Sequence, residues 1–149
     1  MKYLFTLMLS VIAYAGFSQV EDPVQWNYTA VKKGENVYQL VITATISKPW
    51  HIYSQTTPAG GPVPTSVTYK TNPLVTVEGK AKENGKLETV HDKSFGIDVK
   101  YFSNKVEFVQ TVKVKGKVKT NLAGIVEYMV CNDEKCLPPT KKSFDVKLQ

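Results

Sequence analysis

Cys131 and Cys136 carry all the thiol chemistry of this 149-residue chain. Both lie in EYMVCNDEKCLPP, residues 127–139, with only Asn-Asp-Glu-Lys between them. Three chemistries use such a pair: a structural staple, a metal site, or a redox couple that opens and closes by exchange. Closing so short a ring removes only roughly 2 kcal/mol of unfolded-state entropy. A staple gains more by joining distant segments, whereas a pair in a polar turn is placed to be reached. A metal would need further ligands, and His51 and His91 could complete a Cys2His2 set. They belong to separate segments, however, and their spacing matches no zinc pattern. Each reads as a surface or hydrogen-bonded loop residue, and no metal or other cofactor is expected. Redox exchange needs a thiolate and an accessible sulfur. Lys135 beside Cys136 favours the thiolate, Asp133 and Glu134 oppose it, and no helix N-terminus is predicted nearby. Such a pair would be a passive relay that waits for a partner.

The compartment bears on these choices. Residues 1–18, MKYLFTLMLSVIAYAGFS, read as a secretory signal. Lys2 supplies the positive start, Tyr3 to Ala15 the apolar run, and Gly16 and Ser18 the small residues before cleavage at Gln19; cleavage after Ala15 is the alternative. The run is too short to span a bilayer core of roughly 30 Å. No later segment is apolar enough to cross a membrane, so the expectation is an exported, soluble protein. Residues 19–149 have the size of one ordinary domain. Outside the cytoplasm a cysteine pair oxidises unless something keeps it reduced. The net charge of +6 includes Lys2, and the rest is mixed in sign. Its densest basic run, KVKGKVK (113–119), alternates as the wet face of an edge strand would. Nothing else suggests nucleic acid.

The elements that must position the cysteines are strands. VQWNYTAVK (24–32), NVYQLVITATIS (36–47), TSVTYK (65–70), VTVEGKAK (75–82), KVEFVQTVKVK (105–115), AGIVEYMVC (123–131) and KKSFDVKL (141–148) are rich in β-branched and aromatic residues. Gly, Pro, Asn and Asp cluster between them, and no window shows a capped 3.6-residue repeat. The expected fold is all-β, a two-sheet sandwich of immunoglobulin-like type, with a barrel as alternative. Met129 points away from its strand neighbours and reads as core. Two segments break the rhythm: SKPWHIYSQTTPAGGPVPTS (47–66), with Trp50 plugging the end of the core, and HDKSFGIDVKYF (91–102), read as a connection. Loops of this kind on a rigid scaffold are where binding residues sit.

At this point the residues resemble a known family. Tyr128-Met-Val-Cys131, a four-residue polar turn, and Cys136-Leu-Pro138-Pro139 are similar to the active-site hairpin of the N-terminal periplasmic domain of DsbD, the thiol:disulfide interchange protein. The likeness extends into TKKSFDVKL (140–148). VHDKSFG (90–96) is similar to the family's cap loop, and WHIYS (50–54) to the strand that supplies aromatic neighbours. The resemblance implies an immunoglobulin-like sandwich in the periplasm. It implies that Cys136 forms mixed disulfides and Cys131 resolves them, with Asp92 and Phe95 in the cap and Tyr53 and Tyr128 flanking the site. Partners would be thioredoxin-fold oxidoreductases and, on a separate chain, a membrane thiol carrier, because no carrier segment follows before Gln149.

The chain departs from the family pattern in four places. The cysteine turn is one residue shorter, Lys93 replaces the second cap acid, Ser94 stands where the shielding aromatic belongs, and His51 replaces an aromatic. The reading is thus an exported thiol–disulfide relay. Its rival is a non-catalytic binding or assembly module whose disulfide only pins a hairpin, with residues 47–66 and the basic edge strand as contact surface.

Overall fold

The computed structural model describes residues 21–149; the proposed signal and its cleavage site lie outside them. Nine strands follow one another: β1 Val24–Lys32, β2 Val37–Ile46, β3 His51–Tyr53, β4 Ser66–Tyr69, β5 Val75–Asp92, β6 Ile97–Val114, β7 Thr120–Tyr128, β8 Val130–Cys131 and β9 Thr140–Leu148. No helix occurs among the described residues. One sheet runs β1-β2-β6-β3-β8 with β5 also on β6, and a three-stranded sheet runs β4-β7-β9. All pairings are antiparallel. The fold is the expected immunoglobulin-like sandwich.

The core follows from a period of two. Leu40, Ile42 and Ala44 of β2 alternate with wetter neighbours, as do Val106, Phe108 and Val112 of β6 and Leu122, Val126 and Tyr128 of β7. Facing inward, they join Phe144, Val146 and Leu148 of β9 in one cluster. Each fully buried Leu, Ile, Val or Phe among them contributes about 1.5–3 kcal/mol relative to exposure. Trp50 is 6% exposed and belongs to this cluster, so it does plug the core.

Several boundaries differ from the sequence reading. β5 runs ten residues beyond the expected 82, because its second half is a ribbon with polar, exposed positions that lack an apolar period. Residues 97–102 are strand, not connection, leaving only a 93–96 turn. KVKGKVK is not an edge strand: Lys113 and Val114 end β6, which is central, and Gly116 turns the chain with φ 73°. The 47–66 segment is not a free loop either. It contains β3, and its backbone is pinned: Ser54 Oγ and Gln55 N both donate to Glu83 at 2.7 Å, and Thr57 Oγ1 donates to Lys100 O at 2.7 Å.

β6 serves two neighbours in turn. Residues 101–103 pair with β3, and residues 105–113 pair with β2. Asn104 sits at the exchange with φ 68°, a left-handed conformation that Asn tolerates better than most residues. The first half of β6 is thereby free to carry β3, and β3 carries β8.

Candidate active site

Parity on β6 sets the site. Phe102 enters the main core, while Ile97, Val99 and Tyr101 point the other way. In an antiparallel sheet, residues directly opposite share a face. Asp92 opposes Ile97, Val90 opposes Val99 and Glu88 opposes Tyr101. On the other side Tyr53 opposes Tyr101, and His51 pairs in turn with Cys131 of β8. Tyr53, Val99 and Cys131 form a second buried cluster, with Ile97, Tyr101 and Met129 packed around it. Met129 therefore belongs to this smaller core.

The two cysteines are disulfide-bonded, with Cα atoms 4.0 Å apart, close to the roughly 4.5 Å of a non-hydrogen-bonded antiparallel pair. Asn132 makes the turn between them. Its N–H donates to Lys135 O at 2.9 Å, and its Oδ1 accepts from the N–H groups of Glu134 (2.9 Å) and Lys135 (2.8 Å). Leu137 N then donates to Val130 O, closing the ribbon. Burial of the sulfur-bearing residues is unequal: Cys131 is 1% exposed, whereas Cys136 is exposed.

The cap is the β5–β6 turn. Asp92 Oδ1 accepts from Ser94 N (2.8 Å) and Phe95 N (3.3 Å), and Gly96 N donates to Asp92 O. Gly96 closes the turn at φ 68°, where a side chain would strain the backbone. Gly61 packs beside it, since a Cβ there would stand 2.6 Å from Ile97 Cδ1. Cap and hairpin enclose a cleft of about 460 Å³ lined by both cysteines, His51, Tyr53, Asp92 and Phe95. A larger cleft of about 790 Å³, between β4 and the β5 bulge, holds neither cysteine.

Asp92, Phe95 and Tyr53 thus stand where the cysteines are, and Phe95, 40% exposed, joins Ser94 in the cleft lining. Tyr128 does not flank the site. Three residues before Cys131, it faces the opposite side of the ribbon, 1% exposed, with its ring 5.0 Å from that of Trp26. Lys135 lines the cleft, with its Nζ paired to Glu21 at 2.7 Å and lying over the Trp50 ring. His91 is exposed and bonds Asp98 across the ribbon.

Tyr101 is the site residue that the sequence reading missed, while His51, which the family resemblance puts on the strand near the cysteines, is given no role there. The His51 ring lies 4.4 Å from that of Tyr101, and its Nε2 is 3.3 Å from the Tyr53 hydroxyl. Burial lowers the His51 pKa against the opposing pull of Asp133, Glu88 and Asp92. Burial likewise pushes Tyr53 up to about 12, with Asp92 and Tyr101 adding to the shift. Tyr101 is raised too, by burial and then by Glu88 and Asp133. The cleft is therefore walled by neutral rings and rimmed by carboxylates.

The profile of the family described as thiol:disulfide interchange protein DsbD, N-terminal, matches residues 18–148. The chain belongs to this family. Solved structures agree on the fold. The DsbD N-terminal domain of Neisseria meningitidis in its reduced form superimposes with TM-score 0.57 at 16% identity, covering 83% of each chain. The N-terminal periplasmic domain of ScsB from Proteus mirabilis gives 0.58 at 17%, over 84% of this chain and 46% of that one. A complex between the DsbD and PilB N-terminal domains of Neisseria meningitidis gives 0.55 at 13%, over 86% and 87%. No curated protein sequence matches. The family is that of a thiol–disulfide interchange domain, and this chain holds a bonded cysteine pair.

Proposed function

We propose that this chain is an exported interchange domain that relays electrons between a thioredoxin-like donor and periplasmic acceptor proteins through Cys131 and Cys136. The unequal burial of the two cysteines carries the reading. An exposed sulfur on the cleft rim can meet a visiting disulfide; a sealed one can only act within the chain.

In the reduced state the Cys136 thiolate attacks an acceptor disulfide. One acceptor sulfur leaves as thiolate, and a mixed disulfide remains. Cys131 then attacks Cys136 Sγ, closes the intramolecular bond and releases the second acceptor sulfur. Two electrons pass to the acceptor, and a donor dithiol restores the pair by the reverse steps. The electron pair passes from dithiol to disulfide, an exchange that uses no cofactor. Residues 1–18 act as the export signal, cleaved before Gln19, and a membrane thiol carrier feeds the donor. Asp92 and Phe95 shield the sulfurs from stray oxidants until a partner displaces the cap, and Tyr53 supports the pair from below.

Trapping tests this. With Cys131→Ala, Cys136 is expected to hold a thioredoxin-fold protein covalently in periplasmic extract, and Cys136→Ala is expected to hold none. Capture of no oxidoreductase, or a reduction potential well below about −300 mV, would make the bond a structural pin and favour the binding module instead.

A further inference from the structure

His51 is a titratable ring on the strand position that pairs with Cys131. Residues paired directly across an antiparallel ladder place their Cβ atoms roughly 4.5–5.5 Å apart on one face, so His51 and Cys131 are cross-strand neighbours on one face, and both line the cleft. Its orientation is held by two neighbours, the tilted Tyr101 ring at 4.4 Å and the Tyr53 hydroxyl at 3.3 Å.

The resolving sulfur needs such a neighbour. Cys131 must attack as a thiolate, yet its burial disfavours charge. The groups around it do not help. Asp133 from the hairpin and Glu88 and Asp92 from β5 face the same space as His51 and oppose a second negative charge. Tyr53 and Tyr101 are neutral, and the Lys135 ammonium is engaged by Glu21. Lys93, on the cap turn, also lines the cleft.

Resting on the relay reading above, we propose that His51 exchanges a proton with the Cys131 sulfur during resolution. In the mixed disulfide, the Cys131 thiol gives its proton to the neutral imidazole. The thiolate attacks Cys136 Sγ, the bond from Cys136 to the partner breaks, and the partner sulfur leaves with the electron pair. The imidazolium returns the proton to that departing thiolate or to water. In the reverse direction the imidazolium protonates Cys131 as a donor thiolate opens the bond. The three carboxylates around the ring stabilise this cationic stage, and burial keeps the ring neutral, and so ready to accept, at neutral pH. Where an aromatic ring fills this position in place of His51, resolution has no such base.

Reduced protein mixed with dithionitrobenzoate, an aromatic disulfide with a coloured leaving thiolate, separates the two steps. The first equivalent of colour reports attack by Cys136, and the second reports closure by Cys131. In His51→Gln and in His51→Tyr, the latter keeping a ring on Tyr101, the second phase at pH 7 is expected to slow by about tenfold or more. In both it is expected to climb by about tenfold per pH unit toward the alkaline range, while the wild-type phase flattens once His51 is neutral. The first phase is expected to stay unchanged. A second phase with wild-type rate and pH dependence in both variants, or an equal slowing of both phases, would overturn the proposal. Release of only one equivalent by the wild-type protein would instead overturn the relay itself.

Discussion

Asp92 and Asn132 build the two walls of the cleft with the same hydrogen-bond device. Each offers a single side-chain oxygen to two successive backbone N–H groups, those of Ser94 and Phe95 in the cap and those of Glu134 and Lys135 in the hairpin. The device turns the chain sharply without a helix or a long loop. Its two versions differ in charge: the cap uses a carboxylate, the hairpin that holds the sulfurs a neutral amide.

That difference separates two variants of one residue. Asp92→Asn keeps an acceptor for both N–H groups and removes a negative charge from the cleft. Its melting temperature should stay near wild type, and alkylation of reduced Cys136 at pH 7 should speed up. Asp92→Ala loses the acceptor as well, at a cost of about 1 kcal/mol, and amide exchange at Ser94 and Phe95 should accelerate. Equal behaviour of the two variants would contradict this role for the turn.

Phe95 is 40% exposed, so its ring contributes little burial. Phe95→Ala should change stability by no more than about 0.5 kcal/mol. Oxidation of the reduced pair by a small disulfide should nonetheless quicken, since the ring lines the same cleft as both cysteines. Unfolding curves and oxidation kinetics on one sample decide it; an unaltered oxidation rate would remove Phe95 from the shield.

The lowered pKa of His51 has a consequence for stability. Between the folded value and the ordinary value of about 6.5, the unfolded chain binds a proton that the folded chain refuses. Stability therefore rises with pH through that window. The contribution of His51 is fully present above the unfolded value and is lost as pH falls through the folded one. Melting of the oxidised protein from pH 8 to pH 5 should show this decline, and His51→Gln should flatten it.

Ile52 sits between His51 and Tyr53 but faces the other way, fully buried in the main core. Ile52→Ala should cost about 2–5 kcal/mol, seen as a lower denaturant midpoint. The folded variant should react with dithionitrobenzoate at the wild-type rates, because the lost contacts lie on the far face of β3. A large change in exchange rate would mean that the two faces are coupled.

The two-residue period made most of the sandwich readable. Strands whose one face is buried, such as Val37–Ile46, announce themselves by alternation. β3 could not, because three residues hold no period and their strand character comes from β6 and β8. From the residues alone His51 therefore reads as a loop residue, and only the family resemblance of WHIYS puts it on a strand near the cysteines; its pairing with Cys131 is read from the ladder. The second half of β5 hid for the opposite reason: residues 83–92 are mostly polar and exposed, with no core to mark them. Tyr128 was misplaced because β7 ends there and the chain passes to β8 in the other sheet, with Tyr128 and Val130 in the main core and Met129 and Cys131 in the smaller one. Cys131 and Cys136 were legible because thiols are written in residue type, Asp92 and Phe95 only through the family resemblance, and the structure brings all four to one cleft.

Asn104 gives the molecule a seam. On one side of it lie the ladder partners that carry the sulfurs, on the other those that close the sandwich. Sequence drift can therefore retune the reactive tip while the scaffold stays fixed, which is how one architecture could come to serve differently poised partners.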